Sequence, residues 1–258
     1  MLDHPINLVL CNSLNFGDAL APWIARKLTG HRPVYATGGA GYEHYILGGS
    51  ILNWAGKGSK VWGAGLADSS NFVNSAAEIF AVRGPHTLAR AIASKARCPA
   101  IFGDPAMLLP HLYSVDVLMN DRIGIVPHYV DQFRVNEWYR GDERYQIISV
   151  FDSVESVIDQ IASCRRIISS SLHGLIVAHA YGIPAVWAKF SDSVLGDGTK
   201  FRDYLSIIGW DEISRPIDLS AGPATAPISG VRDEDYIEPK EWELEKFAKH
   251  CPLGEIVL

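Results

Sequence analysis

The sequence lacks the features that would place the protein in a membrane or in the secretory pathway. Its four cysteines are widely spaced and form no C-x-x-C pair, which is typical of reduced thiols in a cytosolic protein. No apolar run approaches the roughly 20 residues of a membrane span. The amino terminus has no basic segment followed by the long apolar segment of a signal peptide. We therefore expect a cytoplasmic protein, and any contact with a membrane would be peripheral, at its inner face.

Clusters of basic residues and metal-binding patterns are also missing. The 23 lysines and arginines never form a run and the net charge is −6, which argues against nucleic acid as a main partner. None of the nine histidines belongs to the H-E-x-x-H pattern of zinc proteases, so we predict no metal and no cofactor. An anionic small molecule would need a local basic pocket.

What the chain does have is enough apolar sequence for a large core. It is 258 residues long and 48% hydrophobic, and its 23 glycines and 14 prolines are spread evenly, as expected for many short connections. This length allows one large domain or two of about 120 residues each. The break in periodicity before the apolar run at 123–126 favours two domains, at 1–118 and 119–258.

Short apolar runs alternate with helical patterns in both halves. The first half is predicted to contain strands at 6–11, 45–47, 60–62, 79–82 and 100–102 and helices at 19–28 and 85–95. The second half is predicted to contain strands at 123–126, 146–150, 166–168 and 185–187 and helices at 132–138, 154–163, 172–181, 200–208 and 241–250. This alternation indicates an α/β fold with two Rossmann-like domains and ligands at the carboxyl ends of parallel strands. The final helix is expected to pack back on the first domain.

One loop stands out as an anion site. Ser169, Ser170, Ser171 and His173 lie where an apolar strand ends and a helix begins, so that hydroxyls, an imidazole and unpaired backbone N–H groups converge at the positive end of a helix dipole. The alternative interpretation is that Ser171 only caps the helix and His173 occupies a surface position.

Three other residues lie at the carboxyl ends of predicted strands. Asp18 lies in the loop after the first strand, where Gly17 permits a tight turn, although a helix cap would explain this loop equally well. Arg83 precedes a helix whose dipole it would repel unless an anion lies between them, and the alternative is a surface arginine. His128 ends the first strand of the second half, on the sheet edge that carries His173.

Taken in order, these short motifs resemble those of a known family. They are Asn15-Phe16-Gly17-Asp18, Gly48-Gly49-Ser50, Gly63-Ala64-Gly65, Val82-Arg83-Gly84-Pro85, Gly103-Asp104-Pro105-Ala106, Ser170-Ser171-Leu172-His173-Gly174 and Lys200-Phe201-x-x-Tyr204-Leu205. The order and spacing are similar to those of the polysaccharide pyruvyl transferase family, and Val126-Pro127-His128-Tyr129 looks like its bacterial exopolysaccharide branch.

The resemblance implies two Rossmann-like domains in a GT-B-like arrangement with the active site in the interdomain cleft. It also implies transfer of pyruvate from phosphoenolpyruvate to two hydroxyls of a sugar in a polysaccharide or lipid-linked glycan, which yields a cyclic ketal and phosphate. Two alternatives stay open: a GT-B-type glycosyltransferase that uses a nucleotide sugar, and a catalytically silent carbohydrate-binding relative. The family often carries an arginine where this chain has Ser171, and Arg83, Lys200 or Arg202 would have to compensate.

The same resemblance assigns roles to individual residues. The expected donor-binding residues are Arg83, Ser170, Ser171, Leu172, His173, Gly174 and Lys200. The resemblance further implies His173 as general acid, with Asp18 or His128 deprotonating the acceptor. The acceptor is expected at Asn15, Gly17 and Asp18, with Tyr42, Tyr45 and Trp54 either stacking on sugar faces or lying in the core.

Overall fold

The protein is an α/β molecule built on two parallel five-stranded sheets, as shown by a computed structural model that describes residues 5–11, 15–213, 215–238 and 242–258. The strands are β1 (Ile6–Val9), β2 (Pro33–Ala36), β3 (His44–Leu47), β4 (Ser59–Ala64), β5 (Glu78–Val82), β6 (Asn120–Val126), β7 (Tyr145–Ile147), β8 (Cys164–Ser169), β9 (Ala185–Lys189) and β10 (Ile217–Asp218). The helices are α1 (Phe16–Thr29), α2 (Pro85–Ala93), α3 (Leu109–Leu112), α4 (Gln132–Tyr139), α5 (Val154–Ala162), α6 (Leu172–Ala180), α7 (Thr199–Ile207) and α8 (Leu244–Lys249).

Each sheet is formed by one half of the chain. The first has the order β2-β1-β3-β4-β5 and the second the order β10-β9-β8-β6-β7, and every pairing is parallel. Because parallel strands need crossover connections, helices cover the sheets and most buried positions of the strands are apolar. The α/β class predicted from the alternating pattern is confirmed.

Several helix boundaries follow from local chemistry. Helix α1 ends at Gly30, which adopts a left-handed conformation (φ 73°) and donates its N–H to the carbonyl of Arg26. Helix α2 begins with Pro85, whose missing N–H costs nothing in the first turn. Helix α5 begins after Ser153, whose side chain accepts a hydrogen bond from the N–H of Ser156.

The structure adds one strand that was not predicted and corrects two predicted strands. Strand β2 was not predicted, because it lies at the edge of its sheet and its residues lack an apolar alternation, with Tyr35 67% exposed. The predicted strand at 100–102 is reduced to a single bridge between Phe102 and Val82. The predicted strand at 146–150 is the shorter β7, because Ile148 and the two residues after it turn into the loop before α5.

The two halves of the chain share a packed core. The buried side of α1, with Phe16, Leu20 and Ile24, joins one apolar cluster with α5 and α6 of the second half. The N–H of Phe16 donates to the carbonyl of Val150 at 2.6 Å. Helix α1 thus follows β1 of the first sheet in sequence but packs against the helices of the second half.

Helix α8 packs against the first sheet. Phe247 stacks on Trp62 with ring centroids 4.4 Å apart, and the indole N–H of Trp62 donates to the carbonyl of Phe247 at 3.1 Å. The helix begins at Leu244, and the predicted start at residue 241 lies outside the described residues. Within the described ranges, no helix combines the length and apolar character needed to cross a bilayer.

Candidate functional site

The loops at the carboxyl ends of the two sheets meet at His173. This residue lies in the first turn of α6, directly after β8, and its imidazole contacts Gly17 in the first turn of α1. A methyl group at position 17 would overlap the Nδ1 atom of His173. Glycine is therefore required there for the two helices to approach, and the structure brings together two motifs that are more than 150 residues apart in sequence.

Asp104 is a member of this cluster to which the sequence analysis assigned no role. Its carboxylate is fully buried, and one oxygen accepts a hydrogen bond from the N–H of Ala106 at 3.0 Å. The other oxygen, Oδ2, has no hydrogen-bond partner among the described residues and lies 3.9 Å from Nε2 of His173. The signal in the sequence was a Gly-Asp-Pro-Ala turn after an apolar run, but only the fold shows that it faces His173.

His173 is held between opposing charges. Burial is the largest effect and lowers its pKa, while the carboxylates of Asp104 and Asp18 raise the pKa and the cations of Arg83 and Lys200 lower it. The imidazole is therefore neutral near pH 7 in the protein without ligand. An anion bound beside it would favour the protonated form.

Asp18 and Asn15 form a local pair at the start of α1. Asn15 caps the helix, because its side-chain oxygen accepts a hydrogen bond from the N–H of Asp18 at 3.2 Å. Its amide group donates to Oδ2 of Asp18 at 2.7 Å. Burial raises the pKa of Asp18, and His173 and Asn15 counteract this. The capping interpretation holds for Asn15, whereas the Asp18 carboxylate lies beside His173.

Arg83 is completely buried, so the surface-arginine interpretation is wrong. Its guanidinium donates to the carbonyls of Gly49 and Leu66 and to the hydroxyl of Ser50. Its Nε lies 3.6 Å from Oδ2 of Asp203 on α7. A contact between Arg83 and a bound donor stays a prediction, and it would require the groups around the guanidinium to move.

Asp203 is a second buried carboxylate that the sequence analysis did not single out. It accepts hydrogen bonds from the hydroxyl of Thr87 at 2.6 Å and from the N–H of the same residue at 3.0 Å. Because Thr87 and Arg83 belong to the first half and Asp203 to the second, this ion pair connects the two halves behind the site. Local sequence patterns did not reveal the role of Asp203, because its partner Arg83 lies far from it in the sequence.

The serine loop is held mainly by its own hydroxyl groups. The Ser169 hydroxyl lies within hydrogen-bond distance of the carbonyls of Val126 and Ser171 and accepts from the N–H of Ser171. Ser170 is buried, and its hydroxyl accepts from the N–H of His128 at 2.8 Å. Ser171 occupies the N-cap position of α6 without a capping hydrogen bond from its side chain. Its hydroxyl is therefore available to a ligand at the amino end of α6.

Two residues predicted to bind the donor have their side-chain positions in the core. Leu172 belongs to the apolar cluster beneath α6. Gly174 packs so closely that an added methyl group would overlap the Ser169 hydroxyl and lie 2.8 Å from Val126. Any contact of these residues with a donor would thus use their backbone N–H groups, which the first turn of a helix leaves unpaired.

His128 and Lys200 complete the polar surroundings. The Nδ1 atom of His128 is buried without a hydrogen-bond partner among the described residues, and burial together with Lys200 lowers the pKa of His128 to about 4. Lys200 is 8% exposed, and burial and Arg83 lower its pKa to about 8. His128 is thus a neutral acceptor at pH 7, whereas Lys200 is a cation near its point of titration.

Two spaces adjoin these residues. A narrow pocket of about 20 Å³ lies among Gly17, Asp18, Gly48, Asp104 and His173 and has room for about one water molecule. A cavity of about 420 Å³ lies on the second half, and Ser170 and Lys200 line it.

Tyr42 and Trp54 are exposed and not in the core, and stacking of the three aromatic residues on a sugar stays a prediction. Tyr42 precedes β3 and Tyr45 lies near its amino end, whereas His173 lies at the carboxyl edge of the sheets. Trp54 lies after β3 and is 43% exposed, and its backbone carbonyl adjoins Gly38. Neither the narrow pocket nor the larger cavity is lined by any of the three aromatic residues. In the described part of the chain, no group of three or more histidines, cysteines or carboxylates could hold a metal ion.

Comparisons with known proteins find similarity along most of the chain. A viral protein described as uncharacterized protein L143, from Acanthamoeba polyphaga mimivirus, is 34% identical over 205 residues, which cover 76% of this chain and 71% of the relative. The crystal structure of an uncharacterised Klebsiella pneumoniae protein, KP1_0663, aligns with 84% of this chain and 93% of its own at 11% identity and a TM-score of 0.49. The family model for polysaccharide pyruvyl transferase matches residues 10–189, which include every motif described above except that of Lys200. The chain therefore belongs to the polysaccharide pyruvyl transferase family.

Proposed function

We propose that the protein transfers pyruvate from phosphoenolpyruvate to two hydroxyl groups of a glycan and forms a cyclic ketal. The observation that carries this proposal is the position of His173, in the first turn of α6 with the carboxylates of Asp104 and Asp18 beside it. The reaction needs one group that gives a proton to carbon, one that takes a proton from a sugar hydroxyl, and cations for the donor. We assign these roles to His173, Asp18 and Lys200 respectively.

In the first step, the methylene carbon of phosphoenolpyruvate takes a proton and its central carbon becomes electrophilic. His173 is the proposed acid. Its pKa is lowered in the protein alone, but the phosphate and carboxylate of a bound donor would raise it, as Asp104 and Asp18 already do. Donor binding therefore favours the protonated form of His173, which is the form that acts as the acid.

In the second step, a sugar hydroxyl attacks the electrophilic carbon and loses its proton to a base. We assign this base to Asp18, whose carboxylate lies beside His173. Burial raises the pKa of Asp18, which makes it a stronger base than an exposed aspartate. We assign His128 a different role: burial and Lys200 lower its pKa to about 4, so it is neutral at pH 7, and we propose that it accepts a hydrogen bond from the acceptor.

In the third step, the second hydroxyl displaces phosphate and the ketal ring closes. Two hydroxyl protons are released in all: one replaces the proton given to carbon and the other leaves with phosphate. Charge on the donor is met by the Lys200 ammonium, the Ser171 hydroxyl and the first N–H groups of α6. These groups take the place of the arginine that the family often carries at position 171.

We further propose that residues 1–118 and 119–258 form two domains in a GT-B-like arrangement with the donor bound between them. The ion pair of Arg83 with Asp203 and the packing of α1 on α5 and α6 support a closed state. Because the pocket at His173 has room for about one water, the donor enters only after the loops or the halves separate.

The test is transfer by the purified full-length protein. Phosphoenolpyruvate and a set of soluble and lipid-linked glycans are supplied, and phosphate release and the glycan mass are measured. We expect release of phosphate together with the mass gain of a pyruvate ketal, and we expect His173→Gln to abolish both without changing the melting temperature by more than a few degrees. Equal transfer by this variant would contradict the role of His173. Stabilisation by a nucleotide sugar and not by phosphoenolpyruvate in a thermal shift assay would favour a glycosyltransferase instead.

A further inference from the structure

Four exposed apolar side chains lie close to His128 on the second half. Tyr129 and Val130 are in the loop after β6. Phe133, in the first turn of α4, is 78% exposed, and Phe151, in the loop after β7, is 52% exposed. Single exposed apolar residues are ordinary on protein surfaces, whereas a group of them beside a candidate active site marks an interaction surface. We call these four residues the apolar rim.

A hydrogen bond joins the two loops that carry the apolar rim. The N–H of Val150 donates to the side-chain oxygen of Gln132 at 3.1 Å. Phe133 follows Gln132 in the chain and Phe151 follows Val150, so the two exposed rings flank this bond. Gln132 is itself buried, and its amide donates to the side chain of Asn136. Both rings are therefore attached to one fixed part of the backbone.

The apolar rim is continuous with the two residues to which we assign contacts with the acceptor. The ring of Tyr129 lies against the imidazole of His128, with centroids 4.4 Å apart. The carbonyl of Val150 accepts a hydrogen bond from the N–H of Phe16, in the first turn of the helix that carries Asp18. One end of the rim is therefore next to His128, and the other is joined to the start of α1.

The chemistry of the apolar rim suits an uncharged glycan better than an anionic bilayer. Arg134 is the only lysine or arginine within 128–137 and 149–156, and its guanidinium donates to a backbone carbonyl in the loop after β9. The Asp152 carboxylate and the Asn136 amide are exposed among the same residues. Flat rings suit the C–H faces of sugars, and carboxylates and amides bind sugar hydroxyl groups. Anionic bilayers instead attract clusters of lysine and arginine.

We propose that the apolar rim is a second sugar subsite: while one sugar unit reacts beside Asp18, a neighbouring unit of the same glycan stacks on Phe133 and Phe151. The inference rests on the proposed pyruvyl transfer and names its acceptor class, an oligosaccharide or a longer glycan chain, because only an acceptor of two or more units can occupy both places. It adds a contact from the second half of the chain to the acceptor residues expected on α1.

The test is titration calorimetry of the full-length protein without phosphoenolpyruvate, so that binding is measured apart from transfer. The probes are the methyl glycosides and linear tetrasaccharides of glucose, N-acetylglucosamine, mannose and galactose. We expect at least one tetrasaccharide to bind more tightly than its methyl glycoside. The double variant Phe133→Ala/Phe151→Ala should weaken binding of that tetrasaccharide about tenfold, the sum of two stacking contacts, and bind the methyl glycoside as the wild type does.

The matched control is Phe72→Ala, because Phe72 is an exposed phenylalanine of the first half, in the loop between β4 and β5. It should bind every probe as the wild type does. Since Phe133 and Phe151 are both mostly exposed, their removal leaves the core intact, and an unchanged melting temperature of the double variant checks this. Vesicles of phosphatidylcholine and phosphatidylglycerol are the last probe, and we expect no binding to them.

The outcomes separate this inference from the proposed function. Absence of binding by every tetrasaccharide, or equal binding by the double variant and the wild type, would overturn the sugar subsite even if ketal formation is observed. So would an equal loss of affinity for tetrasaccharide and methyl glycoside, or vesicle binding that the double variant loses, which would identify a membrane surface. Tetrasaccharide binding that depends on the two rings, in a protein that forms no ketal, would overturn the transfer reaction alone.

Discussion

Replacing Lys200 by methionine is expected to stabilise the protein at neutral pH and to weaken the binding of its substrates. Lys200 is 8% exposed, and its pKa falls from the ordinary value of 10.5 to about 8. Each tenfold change in an acid dissociation constant corresponds to about 1.4 kcal/mol, so the buried ammonium costs about 3 kcal/mol at neutral pH. Methionine keeps an unbranched chain of similar size without the charge. The substitution also removes the attraction between Lys200 and Asp18, which offsets part of this effect. We therefore expect the free energy of unfolding to rise by about 1–3 kcal/mol.

The pH dependence of stability tests whether the buried charge of Lys200 is the cause of this effect. In the unfolded chain Lys200 keeps its proton up to pH 10.5, whereas in the folded protein it loses the proton near pH 8. The unfolded state therefore binds more protons between these values, and the stability of the wild type rises with pH across this window. The advantage of Lys200→Met should be largest below pH 8 and should disappear near pH 10.5.

The assay is urea or thermal unfolding of both proteins at pH 7 and pH 10. A gain of 1 kcal/mol raises the melting temperature by about 2–4 °C in a protein of this size. The matched control is Lys189→Met on the neighbouring strand, because the ion pairs of Lys189 with Asp218 and Asp192 raise its pKa and this variant should gain nothing. A Lys200→Met variant that is less stable than the wild type at pH 7, or an advantage that is the same at both pH values, would refute the reasoning.

Three further substitutions test the remaining groups of the site. Asp104→Asn keeps the hydrogen bond from Ala106 and removes the carboxylate that most raises the pKa of His173, so the fall of turnover with rising pH should begin at lower pH; an unmoved pH profile would count against this coupling. Asp18→Asn should lower turnover by about 100-fold or more with donor affinity nearly intact, and steady-state kinetics at the wild-type rate would remove Asp18 as the base. Arg83→Met leaves the Asp203 carboxylate buried without a cation and should lower the free energy of unfolding by about 3–5 kcal/mol, measured in urea, with partial recovery in the double variant that also carries Asp203→Asn.

Local sequence patterns predicted most of the secondary structure. Apolar runs that end in Gly, Ser or Asn produced the correct positions for β1, β8 and α6, because buried parallel strands and capped helices have chemistry that can be read within about ten residues. The edge strand β2 escaped prediction because it is half exposed and stabilised by pairing with β1 instead of by burial of its own side chains. Strand β2 depends on its pairing with β1, which the sequence of β2 alone does not reveal.

The candidate site was predictable where its residues follow strands and unpredictable where they depend on distant partners. His173 and Asp18 follow β8 and β1, and loops at the carboxyl ends of parallel strands are where ligands bind, whereas only the packing of the two halves brings these two loops together. Asp104 and Asp203 were missed, since their importance comes from His173 and Arg83, which lie far from them in sequence.

The sequence by itself determined the family, the α/β class and the identity of the loops that carry polar groups. Only the tertiary structure decided that Arg83 is a buried ion-pair partner, that Lys200 is a buried cation without one and that a large cavity adjoins it, because burial and electrostatic surroundings are properties of packed neighbours and not of residues taken one at a time.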